Sequence, residues 1–169
     1  IESSDDEDIF GENIPIDDKD FTIASWFKKY FGEKWLFDGD YFYYFNRVYW
    51  VQDVSYRKLK LTLPKLYLIL DKEITNVISN DPKYWGQMKA KISNMLNDNK
   101  QNSIIESLKN VLYRNILFNQ NPYLMVFKNK IFDFKKNKTR NSLPHEYVSN
   151  FRSTGYDYNE PDVEKMKFL

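Results

Sequence analysis

Apolar positions along the chain recur at helical spacing in four stretches and at near-alternate spacing in two others. Ile23, Phe27 and Phe31 fall on one side of a first helix, with Asp20 placed to cap it and Gly32 to stop it. The period then shortens. Trp35–Phe37, Tyr41–Phe45 and Val48–Gln52 are short aromatic or β-branched runs. Asp38-Gly39 and Asn46-Arg47 supply turns between them, so a small antiparallel meander is predicted. Tyr67, Leu70, Ile74, Val77 and Ile78 return to helical spacing. They predict a second helix over about 63–79, capped by Thr62, with Pro64 tolerated in its first turn.

Asp81-Pro82 is a strong helix start, a capping carboxylate followed by proline at the first helical position. Trp85, Met88, Ile92 and Leu96 share one face of that third helix. After a polar loop, Asn97–Asn102, the run Ser103-Ile104-Ile105-Glu106 reads as a capping box. The fourth helix continues through Leu108, Val111, Leu112 and Ile116. Tyr123–Phe127 and Ile131–Phe134 then flank Lys128-Asn129-Lys130 as a hairpin, a basic loop runs from Lys135 to Arg140, and a short helix begins near Pro144. The predicted class is α+β, predominantly α-helical with an N-terminal aromatic β-meander and a C-terminal β-hairpin. No repeat of 20 to 50 residues suggests a solenoid.

Charge divides the chain. Residues 1–20 hold nine acids and one base, and the remaining 149 residues carry 24 bases and 15 acids. The net +1 is therefore −8 followed by +9. A run such as Ser3-Ser4-Asp5-Asp6-Glu7-Asp8 has nothing apolar to bury, so residues 1–19 are expected to be a flexible acidic segment. The basic body suits phosphate binding, which counterion release favours whatever the nucleic-acid sequence.

Composition narrows the rest. At 169 residues and 42% hydrophobic, the chain can bury roughly 70% of its unfolded surface. The longest uncharged run, Asn115–Phe127, has 13 residues and contains Asn, Gln and Pro, which is too short and too polar to span a bilayer. No cysteine is present and His145 is the single histidine. Disulfide frameworks, thiolate zinc sites, cysteine nucleophiles and two-histidine mechanisms are excluded. No signal-peptide pattern opens the chain, and Ile1 in place of Met leads us to expect an excised segment from an intracellular protein. Asn, Lys, Ile, Tyr and Phe are abundant, as expected from an A/T-rich genome.

The five glycines form no Walker-type loop and no dinucleotide fingerprint, and no serine sits in a nucleophile elbow. Asp38 and Asp40, two residues apart after an apolar strand, could hold a divalent ion as in a primase or nuclease. The competing reading is a turn, which the intervening Gly39 favours. Tyr41–Trp50 is dense in aromatics, which either pack in a core or offer stacking surface to single strands. Arg57, Lys58 and Lys60, Lys128 and Lys130, and Lys135, Lys136, Lys138 and Arg140 are candidate DNA-binding residues, with a solvated surface as the alternative for each. His145 reads as a surface or helix-start residue. No catalytic or metal-ligating residue is assigned.

The last third of the chain resembles a known family. Asn121-Pro122-Tyr123-Leu124-Met125-Val126-Phe127-Lys128-Asn129-Lys130-Ile131-Phe132-Asp133-Phe134 looks like a hairpin of the primase–helicases of poxviruses, giant DNA viruses and some phages. Pro144-His145-Glu146-Tyr147-Val148-Ser149 and Thr154-Gly155-Tyr156-Asp157-Tyr158 match its following motifs, with Lys130 in place of the usual turn glycine. The aromatic meander with Trp50 and Asp53 is similar to the start of the same domain, so the resemblance covers roughly residues 20–158.

The resemblance implies a mixed α/β collar or linker domain just N-terminal to a superfamily 3 helicase ATPase, with 159–169 leading toward that ATPase. It implies no active site in this segment. ATP and magnesium would belong to the parent primase–helicase. The partners implied are single-stranded or forked DNA, the downstream ATPase domain and neighbouring subunits of a hexamer, in the host cytoplasm and with no membrane. An oligomerisation or protein-interaction module without DNA contact is the alternative, and a metal-dependent primase or nuclease fragment using Asp38 and Asp40 is a more distant one.

Overall fold

A computed structural model describes residues 13–160. Among them are four α-helices, α1 (Asp20–Phe31), α2 (Arg57–Val77), α3 (Pro82–Ser93) and α4 (Asp98–Val111). Six short strands accompany them: β1 (Trp35–Phe37), β2 (Phe42–Phe45), β3 (Trp50–Gln52), β4 (Leu124–Val126), β5 (Ile131–Asp133) and β6 (Lys138–Arg140). They form two antiparallel three-stranded sheets, ordered β1-β2-β3 and β4-β5-β6. The predicted α+β class, meander and hairpin are all present.

The described residues form two compact units. Among the described residues, the first comprises 13–42 together with Asp53–Arg114, and the second comprises Tyr43–Gln52 and 115–160. The expected alternation of aromatics along β2 is modified at this division. Phe42 and its neighbour Tyr43 are both buried. Phe42 packs on Phe37 and Tyr56 in the first unit, while Tyr43 packs on Phe118 and Phe151 in the second.

The first unit is helical. Ile23, Ala24, Phe27, Leu59, Leu63, Leu66, Leu70, Ile74, Ile92, Ile104, Ile105 and Leu108 are buried at its centre. Each such large aliphatic contributes roughly 1.5–3 kcal/mol by leaving water. Asp20 is the first residue of α1 rather than its side-chain cap, and its carboxylate lies 2.6 Å from the Lys100 ammonium. Residues 13–19, part of the segment expected to be flexible, are tied down: the Trp26 indole N–H donates to the Pro15 carbonyl and Lys100 donates to the Asp18 carbonyl. Residues 1–12 and 161–169 lie outside the described residues.

Helix α2 starts six residues before the expected start. The predicted cap, Thr62, is inside the helix, where its hydroxyl donates to the Lys58 carbonyl. Pro64 falls in the second turn, on the exposed side. The earlier start comes from Asp53, a buried residue whose carboxylate accepts from the Lys58 and Leu59 backbone N–H groups at 2.8 Å each. Those are orphan donors of the first turn, and an anion is favoured there. The buried face is consequently Leu59, Leu63, Leu66, Leu70 and Ile74; Tyr67, Val77 and Ile78 are half-buried.

Helix α3 begins as predicted, with the Asp81 carboxylate accepting from the Tyr84 N–H at 3.0 Å. Helix α4 does not begin at Ser103. The polar run 98–102 is helical, Gln101 is buried in line with Ile104, Ile105 and Leu108, and the Ser103 hydroxyl donates to the Asn99 carbonyl. The helix ends at Val111 and not near Ile116, because Leu112 and Arg114 turn to bond with Phe37: the Phe37 N–H donates to the Leu112 carbonyl and the Arg114 N–H to the Phe37 carbonyl.

The second unit assembles distant parts of the chain. Strands β2 and β3 pair with Tyr43 opposite Gln52 and Phe45 opposite Trp50. The Trp50 N–H donates to the Val148 carbonyl, and its indole N–H donates to the Pro144 carbonyl at 2.8 Å. Tyr49, Val126, Ile131 and Val148 form a small core, flanked by Val48, Val51 and Leu124. The Tyr49 hydroxyl donates to the Lys128 carbonyl. Asn119 fixes Ser149 on both sides, accepting from its N–H and donating to its hydroxyl.

Candidate nucleic-acid interface

The second sheet carries most of the basic residues singled out in the sequence. In β4 and β5, Leu124 faces Asp133, Met125 faces Phe132 and Val126 faces Ile131; β6 continues with Phe132 opposite Thr139 and Asp133 opposite Lys138. Directly opposed residues share a face. Val126 and Ile131 therefore belong to the buried face, and Met125, Phe132 and Thr139 to the other.

Lys128 and Lys130 stand at the β4–β5 turn, Lys135 and Lys136 at the β5–β6 turn, and Lys138 on the edge strand β6. All five are exposed, and among the described residues none has a carboxylate within ion-pair distance. Lys135 instead places its ammonium 4.4 Å from the centroid of the Tyr123 ring. The β4–β5 turn closes with the Phe127 N–H donating to the Lys130 carbonyl, and neither Asn129 nor Lys130 adopts positive φ. Lysine in place of the usual glycine is thus unstrained there. The segment Lys135–Arg140, expected as a loop, is a tight turn followed by a strand. Asn137 takes the left-handed position at φ 50° and the Lys136 N–H donates to Asp133.

Arg140 has a different environment from the lysines. Its guanidinium donates to Asp133 at 3.0 Å through Nε and to both oxygens of Glu146 at 2.6 and 2.8 Å through Nη2 and Nη1. Bidentate charge-assisted bonds of this kind are strong and directional. Hydrogen bonding to Arg140 holds the Glu146 carboxyl below its ordinary range against the opposing effect of burial, and the Leu143 N–H adds to it. Burial pushes the Asp133 carboxyl up, but the Lys136 N–H and the Arg140 side chain outweigh it, so it too lies low. Arg140 is committed to joining β5, β6 and the Pro144–Glu146 turn, with no guanidinium edge left open for a phosphate pair.

The remaining candidates lie in the first unit. Arg57 and Lys58 are exposed in the first turn of α2, and Lys60 lies 3.5 Å from Asp98. Asp38 serves its turn: its carboxylate accepts from the Asp40 and Tyr41 N–H groups at 2.9 and 2.8 Å, and Gly39 between them sits at φ 108°. Among the described residues, no group of three or more histidines or carboxylates could hold a metal ion. His145 is exposed in its short turn, and no described helix is long and apolar enough to cross a membrane.

One surface of the hairpin motif has no role assigned to it from the sequence. Residues of like parity in the hairpin, Tyr123, Met125 and Phe127 on one strand and Phe132 and Phe134 on the other, form the outer face, and the Phe134 N–H donates to the Tyr123 carbonyl. The strand alternation is a sufficient signal for it. The Thr154–Tyr158 motif clasps one end of this face. The Thr154 N–H donates to the Val126 carbonyl, the Lys128 N–H to the Tyr156 carbonyl, and the Asn129 amide bonds both the N–H and the carbonyl of Tyr158. The Tyr158 ring lies 5.3 Å from Phe127 and 6.2 Å from Phe132.

A family model described as D5 N terminal like matches residues 24–169. No match is found among curated proteins.

Proposed function

Because the chain belongs to the D5 N-terminal-like family, which is found N-terminal to the helicase in poxvirus and phage primase–helicases, we propose that it is a non-catalytic domain guiding DNA toward an ATP-driven, hexameric helicase. The observation that supports this reading is the set of five exposed lysines on one small sheet, Lys128, Lys130, Lys135, Lys136 and Lys138, none with an ion-pair partner among the described residues. Such a set gains affinity by releasing counterions from the phosphate backbone, without reading base sequence. Arg140 supports the lysines by fixing β6 and is not itself a phosphate contact. Arg57, Lys58 and Lys60 are a secondary contact at most, since Lys60 has Asp98 beside it.

In this reading ATP and magnesium are handled by the helicase domain. The downstream ATPase and neighbouring subunits are the protein partners, and the host cytoplasm is the place of action. A metal-dependent primase or nuclease activity finds less support, because Asp38 is engaged by its own turn.

The test is the salt dependence of DNA binding. Changing the five lysines to glutamine should weaken binding and flatten the plot of log affinity against log salt by roughly 0.7–0.9 for each phosphate that is no longer neutralised. An unchanged slope refutes the reading. A second reading, a protein-contact module, is favoured by Leu61 and Leu68, which lie seven residues apart on α2 and are 63% and 66% exposed.

A further inference from the structure

We propose that the outer face of the β4-β5-β6 sheet binds single-stranded nucleic acid by stacking bases on Phe134 and Tyr123, with Lys128, Lys130, Lys135 and Lys136 at its two turns contacting the phosphates. The inference rests on the DNA-guiding reading above and names its substrate class. Tyr123 and Phe134 are opposed across the hairpin, with 46% and 53% of their surfaces exposed, and Met125 beside them is 41% exposed. Water-facing aromatic rings on a sheet are costly as mere surface. They become useful where a flat partner can cover them.

The surroundings of the patch favour one partner. An apolar protein partner would meet ammonium groups to be desolvated along with the aromatics, since lysines stand at both ends of β5. Duplex DNA would satisfy the lysines but keeps its base faces stacked and out of reach. A single strand offers phosphates and open base faces together, and aromatic stacking accepts any base.

The two rings differ in readiness. Phe134 meets Phe132 edge-on, with ring centroids 5.0 Å apart, and among the described residues no cation lies over it, so its outer face is open to a base. Tyr123 has the Lys135 ammonium over its ring. A base arriving there displaces Lys135 toward the neighbouring phosphate, so the same lysine serves the free ring and the bound strand. Tyr158 covers the Phe127 end of the face and limits the platform to its Tyr123–Phe134 end.

The experiment compares the chain's binding to fluorescent oligothymidylate of about 15 nucleotides with its binding to a duplex of equal length. The native chain should prefer the single strand. Tyr123→Ala with Phe134→Ala should weaken single-strand binding roughly 5- to 150-fold for each stacked base lost, while leaving duplex binding near native. Tyr123→Leu with Phe134→Leu keeps apolar volume on the strands but removes the ring faces, so it should lose the preference as well even if the alanine pair folds poorly.

Equal affinity for the two DNAs, or a leucine pair that retains native preference, overturns the inference while lysine-dependent binding keeps the broader reading intact. Self-association of the native chain that the leucine pair abolishes, without any single-strand preference, assigns the face to a second copy and also overturns it. Failure of the native chain to bind either DNA removes both readings together.

Discussion

Arg140 and Glu146 meet edge to edge, two guanidinium nitrogens on two carboxylate oxygens at 2.6 and 2.8 Å, with Asp133 closing the group from the neighbouring strand. Replacing Arg140 by leucine should cost on the order of 3 kcal/mol, because two partly buried carboxylates lose their cation together. Urea unfolding of the variant would measure this. Faster amide exchange along Ile131–Asp133 and Lys138–Arg140, with little change in α1 or α4, would place the loss in the second sheet. Lysine at this position should not restore stability, since it cannot make the paired geometry.

The same group sets a pH dependence. Glu146 and Asp133 both have folded-state pKa values below their unfolded ones. Their contribution is therefore complete above the ordinary carboxylate range, near pH 4 to 4.5, and is lost as the pH falls through the lowered folded values. Stability measured from neutral pH downward should decline through and below that range. The Glu146→Gln variant should show a shallower decline.

Asp53 supports α2 from outside the helix, and Asp53→Ala leaves the Lys58 and Leu59 backbone donors of the first turn without their acceptor. The expected loss is about 1–2 kcal/mol. Thermal unfolding would show it. Asp53→Asn should recover part of it, because the amide oxygen can still accept one bond.

Two glycines should respond to alanine with opposite signs. Gly86 lies within α3 with open space where a Cβ would go, so Gly86→Ala should stabilise by roughly 0.5–1 kcal/mol. Gly155 has open space too, but sits at φ 78° in the segment that clasps the hairpin. Gly155→Ala should destabilise by about 1 kcal/mol through backbone strain alone. Melting temperatures of the two variants, compared with the parent, check both.

Leu61 and Leu68 test the protein-contact alternative. If they meet a subunit or the downstream ATPase, Leu61→Glu with Leu68→Glu should abolish assembly of the full-length protein in sedimentation while leaving the melting temperature of this chain within about 1 °C, as substitutions at exposed positions do. Assembly unaffected by the pair would dismiss that role.

Local signals are legible in the sequence and distant ones are not. The start of α3 can be read because Asp81 caps a donor three residues away, and the hairpin because alternation and turn lie within one short stretch. The start of α2 is misleading because Pro64 imitates a first-turn proline, whereas the acceptor for its N–H groups is Asp53, before an intervening turn. The beginning of α4 looks like a loop since Asn97–Asn102 is polar throughout. Its helicity is secured by burial of Gln101 in line with Ile104 and Leu108, which spacing alone does not reveal.

Within the candidate site, the lysines stand out as a charge run, and Arg140 looks like one of them. Its partners lie seven residues before and six residues after it, in directions that converge once β5 has turned into β6. The division into two units rests on pairings such as Trp50 with Pro144 and Val148, far apart in sequence, for which a single sequence contains no local mark.

That division also sets an order of events at the ribosome. Tyr43–Gln52 emerges early, but the partners of Tyr49 and Trp50, in the hairpin and beyond it, follow only after Asp53–Arg114 has been translated. At ordinary elongation rates, making Asp53–Arg114 alone takes on the order of 3–12 s. For that interval the aromatic segment waits without its core, and a truncation just beyond Arg114 makes the wait permanent.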